Sequence, residues 1–167
     1  MIRQACLALV LPLSLFGLAG CGLSPMYAGG GSGAVAQGLA GVDVPAIPGR
    51  AGWLMRTALV DRLGAEDGST ARYRLDVRLD DSLEALGVLG NDTISRERRT
   101  LRARYQLIDL TSGAILLDAT AGSDAGIDVV SSEYATIAAE ETAMENLSRE
   151  VADQMVTRIA LALRQQQ

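Results

Sequence analysis

Arg72-Tyr73-Arg74-Leu75-Asp76-Val77-Arg78-Leu79-Asp80 alternates without interruption between charged and apolar side chains. A period of two is that of a β-strand, in which successive side chains leave opposite faces. Tyr73, Leu75, Val77 and Leu79 therefore define one face, and Arg72, Arg74, Asp76, Arg78 and Asp80 the other. Residues 82–88 continue the chain in extended form, and Gly90-Asn91-Asp92 supplies a turn. The next arm repeats the pattern, with Leu101, Ala103, Tyr105 and Leu107 inward and Arg98, Thr100, Arg102, Arg104 and Gln106 outward. Thr111-Ser112-Gly113 marks a second tight turn. Residues 114–121 then read as a further strand, with Ile115, Leu117, Ala119 and Ala121 on its buried side.

Outward from this hairpin the period changes to that of helices. Residues 41–47 form a first strand, in which Val42, Val44 and Ala46 alternate with Asp43 and Pro45, the proline marking a sheet edge or a strand end. Pro48-Gly49 leads into a helix over residues 50–63, with an apolar stripe of Trp53, Leu54, Ala58, Leu59, Val60 and Leu63 and with Gly64 placed to end it. Ser131-Ser132-Glu133 has the form of an N-cap followed by an acid in the first turn. From there Ile137, Met144, Leu147, Val151, Met155, Ile159 and Leu163 recur at helical spacing, predicting one amphipathic helix roughly 50 Å long at ~1.5 Å per residue. Its polar face carries Glu140, Glu141, Glu145, Glu150 and Asp153, which favours packing on a core over lying on an anionic membrane surface.

The order β-α-β-β-β-α, with one apolar face per strand and two amphipathic helices to cover it, predicts an α+β fold. The expected architecture is a two-layer sandwich, a four-stranded, mostly antiparallel (mixed) sheet with two helices on one face. The opposite sheet face is left for solvent or a partner.

The amino terminus carries a different message. Arg3, an apolar run over residues 5–18 and the sequence Leu18-Ala19-Gly20-Cys21 make a bacterial lipoprotein signal. The apolar run would span only ~21 Å at 1.5 Å per residue, short of a ~30 Å hydrocarbon core, which disfavours a transmembrane anchor. Residues 1–20 are expected to be a cleaved signal peptide, with Cys21 as the lipidation site. Residues 21–40 would then be a lipidated, Gly-rich flexible tether, and residues 41–167 a single α+β domain. Gly22 follows the cysteine where Asp would signal inner-membrane retention, so the expected location is the periplasmic side of the outer membrane.

Composition narrows the chemistry. The chain has 167 residues, 15 basic and 20 acidic, with no His; every basic residue is Arg. Without His or Lys there is no imidazole base, no Schiff-base amine and no His ligand for zinc. Asp80, Asp81 and Glu84 form a short acidic cluster, but no second ligand group follows at a diagnostic spacing. No catalytic residue, no metal and no cofactor is expected beyond the diacylglycerol and N-acyl chain on Cys21. Of the two cysteines, Cys6 would leave with the signal and Cys21 would carry lipid, so the mature chain has no disulfide to form.

Charge is unevenly placed. Residues 72–104 hold eight Arg and six acids, whereas residues 105–148 hold eight acids and no base. The parity of the two arms puts Arg72, Arg74, Arg78, Arg98, Arg102 and Arg104 on one sheet face, with Arg96 near the turn. Guanidinium groups bind phosphates and carboxylates through paired, charge-assisted hydrogen bonds, so this face is a candidate site for an anionic ligand. A solvated face, partly neutralised by Asp76 and Asp80, is the competing reading. Nucleic acid is a poor partner for an exported, net-acidic chain.

These residues also resemble a known family. Cys21-Gly22-Leu23-Ser24-Pro25-Met26-Tyr27 is similar to the Cys-Gly-Phe-x-Pro-Leu-Tyr opening of LptE-type lipopolysaccharide-assembly lipoproteins. Ile47-Pro48-Gly49-Arg50 with the helix after it looks like that family's first helix. Asp92-Thr93-Ile94-Ser95-Arg96 and Tyr105-Gln106-Leu107-Ile108-Asp109 look like its central hairpin, and Ser132-Glu133-Tyr134-Ala135 like the start of its last helix. Leu23 and Met26 are conservative departures, and the last helix lacks an Arg often found early in it, so no basic function is carried onto that helix. The resemblance implies a non-enzymatic plug and assembly partner of an LptD-type outer-membrane β-barrel in lipopolysaccharide transport. It also implies lipopolysaccharide binding, for which Arg96, Arg98, Arg102, Arg104, Arg72, Arg74 and Arg78 are the candidates. The alternative is an auxiliary lipoprotein of another, phospholipid-directed envelope transport system.

Overall fold

Strict alternation in the two arginine-rich arms yields a long hairpin, and the rest of the chain is arranged to cover its apolar side. The computed structural model describes residues 33–64, 71–86 and 96–166; the signal segment, Cys21 and the Gly90-Asn91-Asp92 turn lie outside them. The elements are helix α1 (Ala34–Ala40), strand β1 (Val42–Asp43), helix α2 (Gly49–Leu63), strands β2 (Tyr73–Ala85), β3 (Arg96–Asp109) and β4 (Ile115–Asp128), and helix α3 (Glu133–Arg164). The sheet has the order β1-β2-β3-β4. β1 runs parallel to β2, while β2, β3 and β4 are mutually antiparallel. The α+β sandwich with a mixed four-stranded sheet and helices on one side is the architecture that the patterning predicts.

Leu75 from β2, Leu101, Tyr105 and Leu107 from β3, Met55 and Leu59 from α2, and Val151, Met155 and Ile159 from α3 are fully buried. Each aliphatic side chain so enclosed stabilises the fold by about 1.5–3 kcal/mol relative to exposure. Helices α2 and α3 lie side by side and run in the same direction, tied by ion pairs from Arg50 to Glu141 and from Arg62 to Asp153. The expected boundaries of both helices hold. Gly64 ends α2 in the left-handed conformation at φ 64°, and Ser132 Oγ caps α3 by accepting from the Ala135 amide.

Several expectations need correction. The tether does not extend to residue 40. Ala34–Ala40 is helical, and Val35 and Leu39, four residues apart, are buried in the core against α3. Two apolar anchors at helical spacing outweigh the Gly/Ala composition that reads as flexible. The first strand shrinks to Val42–Asp43, because Pro45 cannot donate to a ladder and Pro48 opens the helix. Trp53 is 65% exposed; Met55, absent from the predicted stripe, takes the core position on α2. Ile137, assigned to the α3 stripe, is 48% exposed.

β4 is longer than predicted and begins with an irregularity. Leu107 pairs with Leu117 but Ile108 with Ile115, leaving Leu116 as an extra residue. The slip reverses the parity, so Ile115 sits opposite Ile108 on the uncovered face and is 55% exposed.

Candidate functional site

The uncovered sheet face is a grid whose rows follow from the register. Asp76 stands opposite Gln106, Arg78 opposite Arg104, Asp80 opposite Arg102, Ser82 opposite Thr100 and Glu84 opposite Arg98. Across the next ladder Gln106 meets Asp118, Arg104 Thr120, Arg102 Gly122, Thr100 Asp124, Arg98 Gly126 and Arg96 Asp128. Arg74, Arg78, Arg98, Arg102 and Arg104 thus share one exposed face, as their parity predicts, and Arg96, expected near the turn, opens β3 on the same face. Arg72 lies just before β2 at the end of the sheet. Its guanidinium is 5.2 Å from the centre of the Tyr73 ring, with Nε 4.0 Å from the Asp109 carboxylate.

The electrostatics of this face depend on β4. Three of its aspartates reach the β3 arginines: Asp118 to Arg104 at 3.2 Å, Asp124 to Arg98 at 3.8 Å and Asp128 to Arg96 at 3.0 Å. Asp118 also accepts from Gln106 Nε2 at 2.8 Å. The hydrogen bond from Arg104, and then that from Gln106, hold the Asp118 carboxyl below its ordinary value, and the hydrogen bond to Asp118 in turn raises the Arg104 guanidinium. Neutralisation therefore comes from β4. No ion pair joins Asp76 or Asp80 to an arginine among the described residues. Arg74, Arg78 and Arg102 are without an ion pair among the described residues.

Two arginines escaped the sequence reading. Arg99 has the parity of the apolar face, where it donates to both carboxylate oxygens of Asp81. Asp81 is thereby separated from Asp80 and Glu84, which point to the opposite face, and the acidic cluster dissolves. Arg158, on α3, reaches round the edge of the sheet and donates to the Thr120 carbonyl at 2.7 Å; Gln154, one turn earlier, donates to the Gly122 carbonyl at 3.5 Å. These contacts occupy outward carbonyls of the β4 edge, which would otherwise be open to strand pairing. The odd–even rule gave a signal for Arg99. None in the sequence could have placed Arg158.

Tyr105 lies fully buried on the helix side, its hydroxyl without a hydrogen-bond partner among the described residues. Burial pushes this phenol above its ordinary value, with the nearby Arg158 charge pulling the other way. Among the described residues no group of three or more His, Cys, Asp or Glu could hold a metal ion, and no helix is long and apolar enough to cross a membrane. The face presents guanidinium donors in an open, shallow arrangement. Such an arrangement can hold oxyanions.

The family described as LptE, lipopolysaccharide-assembly, matches residues 39–159. No curated protein matches the sequence. Among solved structures, a lipoprotein candidate from Caulobacter crescentus CB15 superposes with a TM-score of 0.67 at 28% identity, covering 78% of this chain and 96% of that one. Rare lipoprotein B from Shewanella oneidensis shares the fold at a TM-score of 0.55 and 9% identity, over 71% of this chain and 91% of that one. A minor lipoprotein from Acinetobacter baumannii does so at 0.55 and 16% identity, over 72% and 88%.

Proposed function

The chain belongs to the LptE lipopolysaccharide-assembly family, and on that premise we propose that it is a lipid-anchored plug and assembly partner of an LptD-type β-barrel in the outer membrane. Cys21 carries the acyl anchor. The domain sits in the barrel from the periplasmic side, and its open sheet face binds the phosphates and carboxylates of lipopolysaccharide. The family is one of assembly proteins, and its role here is structural and ligand-binding, without catalysis.

The observation that carries this reading is a match over residues 39–159 on a fold that leaves one full sheet face uncovered and lines it with arginines. A wedge with a hydrophobic core on one side and a polar, charge-rich sheet on the other suits the polar lumen of a large barrel. The phospholipid-transport alternative is not favoured by any of these features.

The test is co-purification from outer membranes of cells producing the full chain with a carboxy-terminal tag. A barrel of the LptD type is expected to co-elute in equal amount, and Cys21→Ala is expected to leave an unprocessed precursor with no acyl label. Recovery of the tagged chain without any barrel, or with an inner-membrane transporter instead, would overturn the proposal.

A further inference from the structure

We propose that the phosphate-binding position on this face is the shelf over Gly122, formed by Arg78 and Arg102 from the sheet and Arg158 from α3. The inference rests on the reading that the open face holds lipopolysaccharide, and it assigns the contact to residues near the β4 edge rather than to Arg96 and Arg98 at the far end of the hairpin.

Positive charge on this face is compensated unevenly. Arg96, Arg98 and Arg104 each face a β4 aspartate, whereas Arg78, Arg102 and Arg158 face none within ion-pair distance among the described residues. These three, together with Arg104, Asp80, Thr120 and Gln154, line a cavity of about 500 Å³. Since Asp118 answers Arg104, the lining holds three unanswered guanidinium groups against the single carboxylate of Asp80. An excess of positive charge in one concavity attracts an anion more strongly than the same charges spread over a flat face.

Geometry makes room for that anion. Gly122 contributes no side chain, and Arg102 lies across it. A Cβ at 122 would stand 3.0 Å from Arg102 Nη1 and 3.2 Å from its Cγ. Arg158 is held in place from the other side by its bond to the Thr120 carbonyl through Nη1. A guanidinium has five N–H donors, so one carbonyl does not exhaust it. Arg102, lying over the β4 glycine, and Arg158, bonded to the β4 carbonyl, bring their guanidinium donors to one cavity, a donor set suited to tetrahedral oxyanions. The ligand class is a phosphate monoester, whether borne by a lipid or free in solution.

The test uses the full lipidated chain in detergent, with three probes: lipopolysaccharide, the same lipopolysaccharide after enzymatic removal of its phosphates, and inorganic phosphate. Arg102→Gln/Arg158→Gln is expected to weaken binding of the phosphorylated form at least tenfold and to leave binding of the dephosphorylated form within threefold. Arg96→Gln/Arg98→Gln is expected to stay within threefold for both. Should loss of Arg158 unfold the chain, Arg78→Gln/Arg102→Gln keeps the α3 contact with β4 and is expected to show the same tenfold loss. Normal affinity in the shelf variants with a loss in Arg96→Gln/Arg98→Gln would overturn the shelf while leaving the open face as the binding surface. Equal affinity of all variants, or no binding by the unaltered chain, would overturn both. Inorganic phosphate binding as tightly as the phosphorylated lipid would overturn a lipid-borne ligand.

Discussion

Arg99 and Asp81 meet diagonally across β2 and β3 on the helix-covered side of the sheet, joined by parallel hydrogen bonds of 3.0 and 2.8 Å. Both side chains are largely enclosed, at 19% and 28% exposure. Arg99 also reaches the Glu140 carbonyl on α3 at 3.5 Å. The pair thus ties the distal end of the hairpin to the first turns of the long helix, where apolar packing is thin. Bidentate, partly desolvated pairs of this kind exceed the ~0–1 kcal/mol of exposed ones. Arg99→Ala and Asp81→Ala are each expected to cost about 1–2 kcal/mol in urea unfolding, because each strands its partner's charge. The double variant should cost less than the two together, with a coupling of about 1 kcal/mol. Full additivity would show the pair to be idle.

Gly52 sits in the interior of α2, where alanine ordinarily gains up to ~1 kcal/mol over glycine. Here a Cβ would lie 2.4 Å from the Ile47 carbonyl oxygen and 2.7 Å from its carbon, both backbone atoms. The close approach lets the Pro45–Pro48 segment turn tightly onto the helix. Gly52→Ala is therefore expected to destabilise by about 1–3 kcal/mol, the range for overpacking. Gly126→Ala in β4 meets nothing within 4 Å and serves as the control, expected to change stability by less than about 0.5 kcal/mol. A stabilised Gly52→Ala would contradict the packing of this segment.

Period-two alternation made β2 and β3 legible, because both arms pair over their full length and one face of each is buried. The same rule placed six arginines on one surface and, read to its end, would have sent Arg99 and Asp81 to the other. It failed at Ile115, where one extra residue in β4 inverts the face, since a bulge leaves no mark in an apolar run such as Ile115-Leu116-Leu117. The charge state of the site was not legible either. Whether Asp118, Asp124 and Asp128 answer Arg104, Arg98 and Arg96 depends on the β3–β4 register, which no local pattern sets. Arg158 depends on how a 32-residue helix lies over the sheet, a tertiary matter throughout.

Leu39 tests whether α1 belongs to the domain. It is 4% exposed, and Gly38 beside it packs within reach of Leu163 at the end of α3. Leu39→Ala is expected to cost about 2–4 kcal/mol, as for other buried leucines truncated to a methyl group. A non-lipidated chain starting at residue 41 should melt at least ~5 °C below one starting at residue 33, at ~3–5 °C per kcal/mol for a domain of this size. Identical melting temperatures would return residues 34–40 to the tether.

Acid sensitivity follows from two aspartates. Asp109 Oδ1 accepts from the Ser112 amide at 2.9 Å and the Thr111 amide at 2.8 Å, closing the turn between β3 and β4. These two bonds, followed by the Ser112 hydroxyl and Arg72, hold its carboxyl below the ordinary 3.8. Asp118 is lowered likewise by Arg104 and Gln106. A carboxyl whose folded value is depressed binds its proton more readily in the unfolded chain. Its contribution is therefore complete above the unfolded value and is lost as pH falls through the folded one. Stability is expected to be level between about pH 5 and 7 as far as these groups are concerned, and to fall below about pH 4. Asp109→Asn/Asp118→Asn should lower stability at pH 7 yet flatten the decline between pH 4 and 2, measured by urea unfolding at each pH. An acid limb as steep in the double variant as in the unaltered chain would assign the loss to other carboxylates.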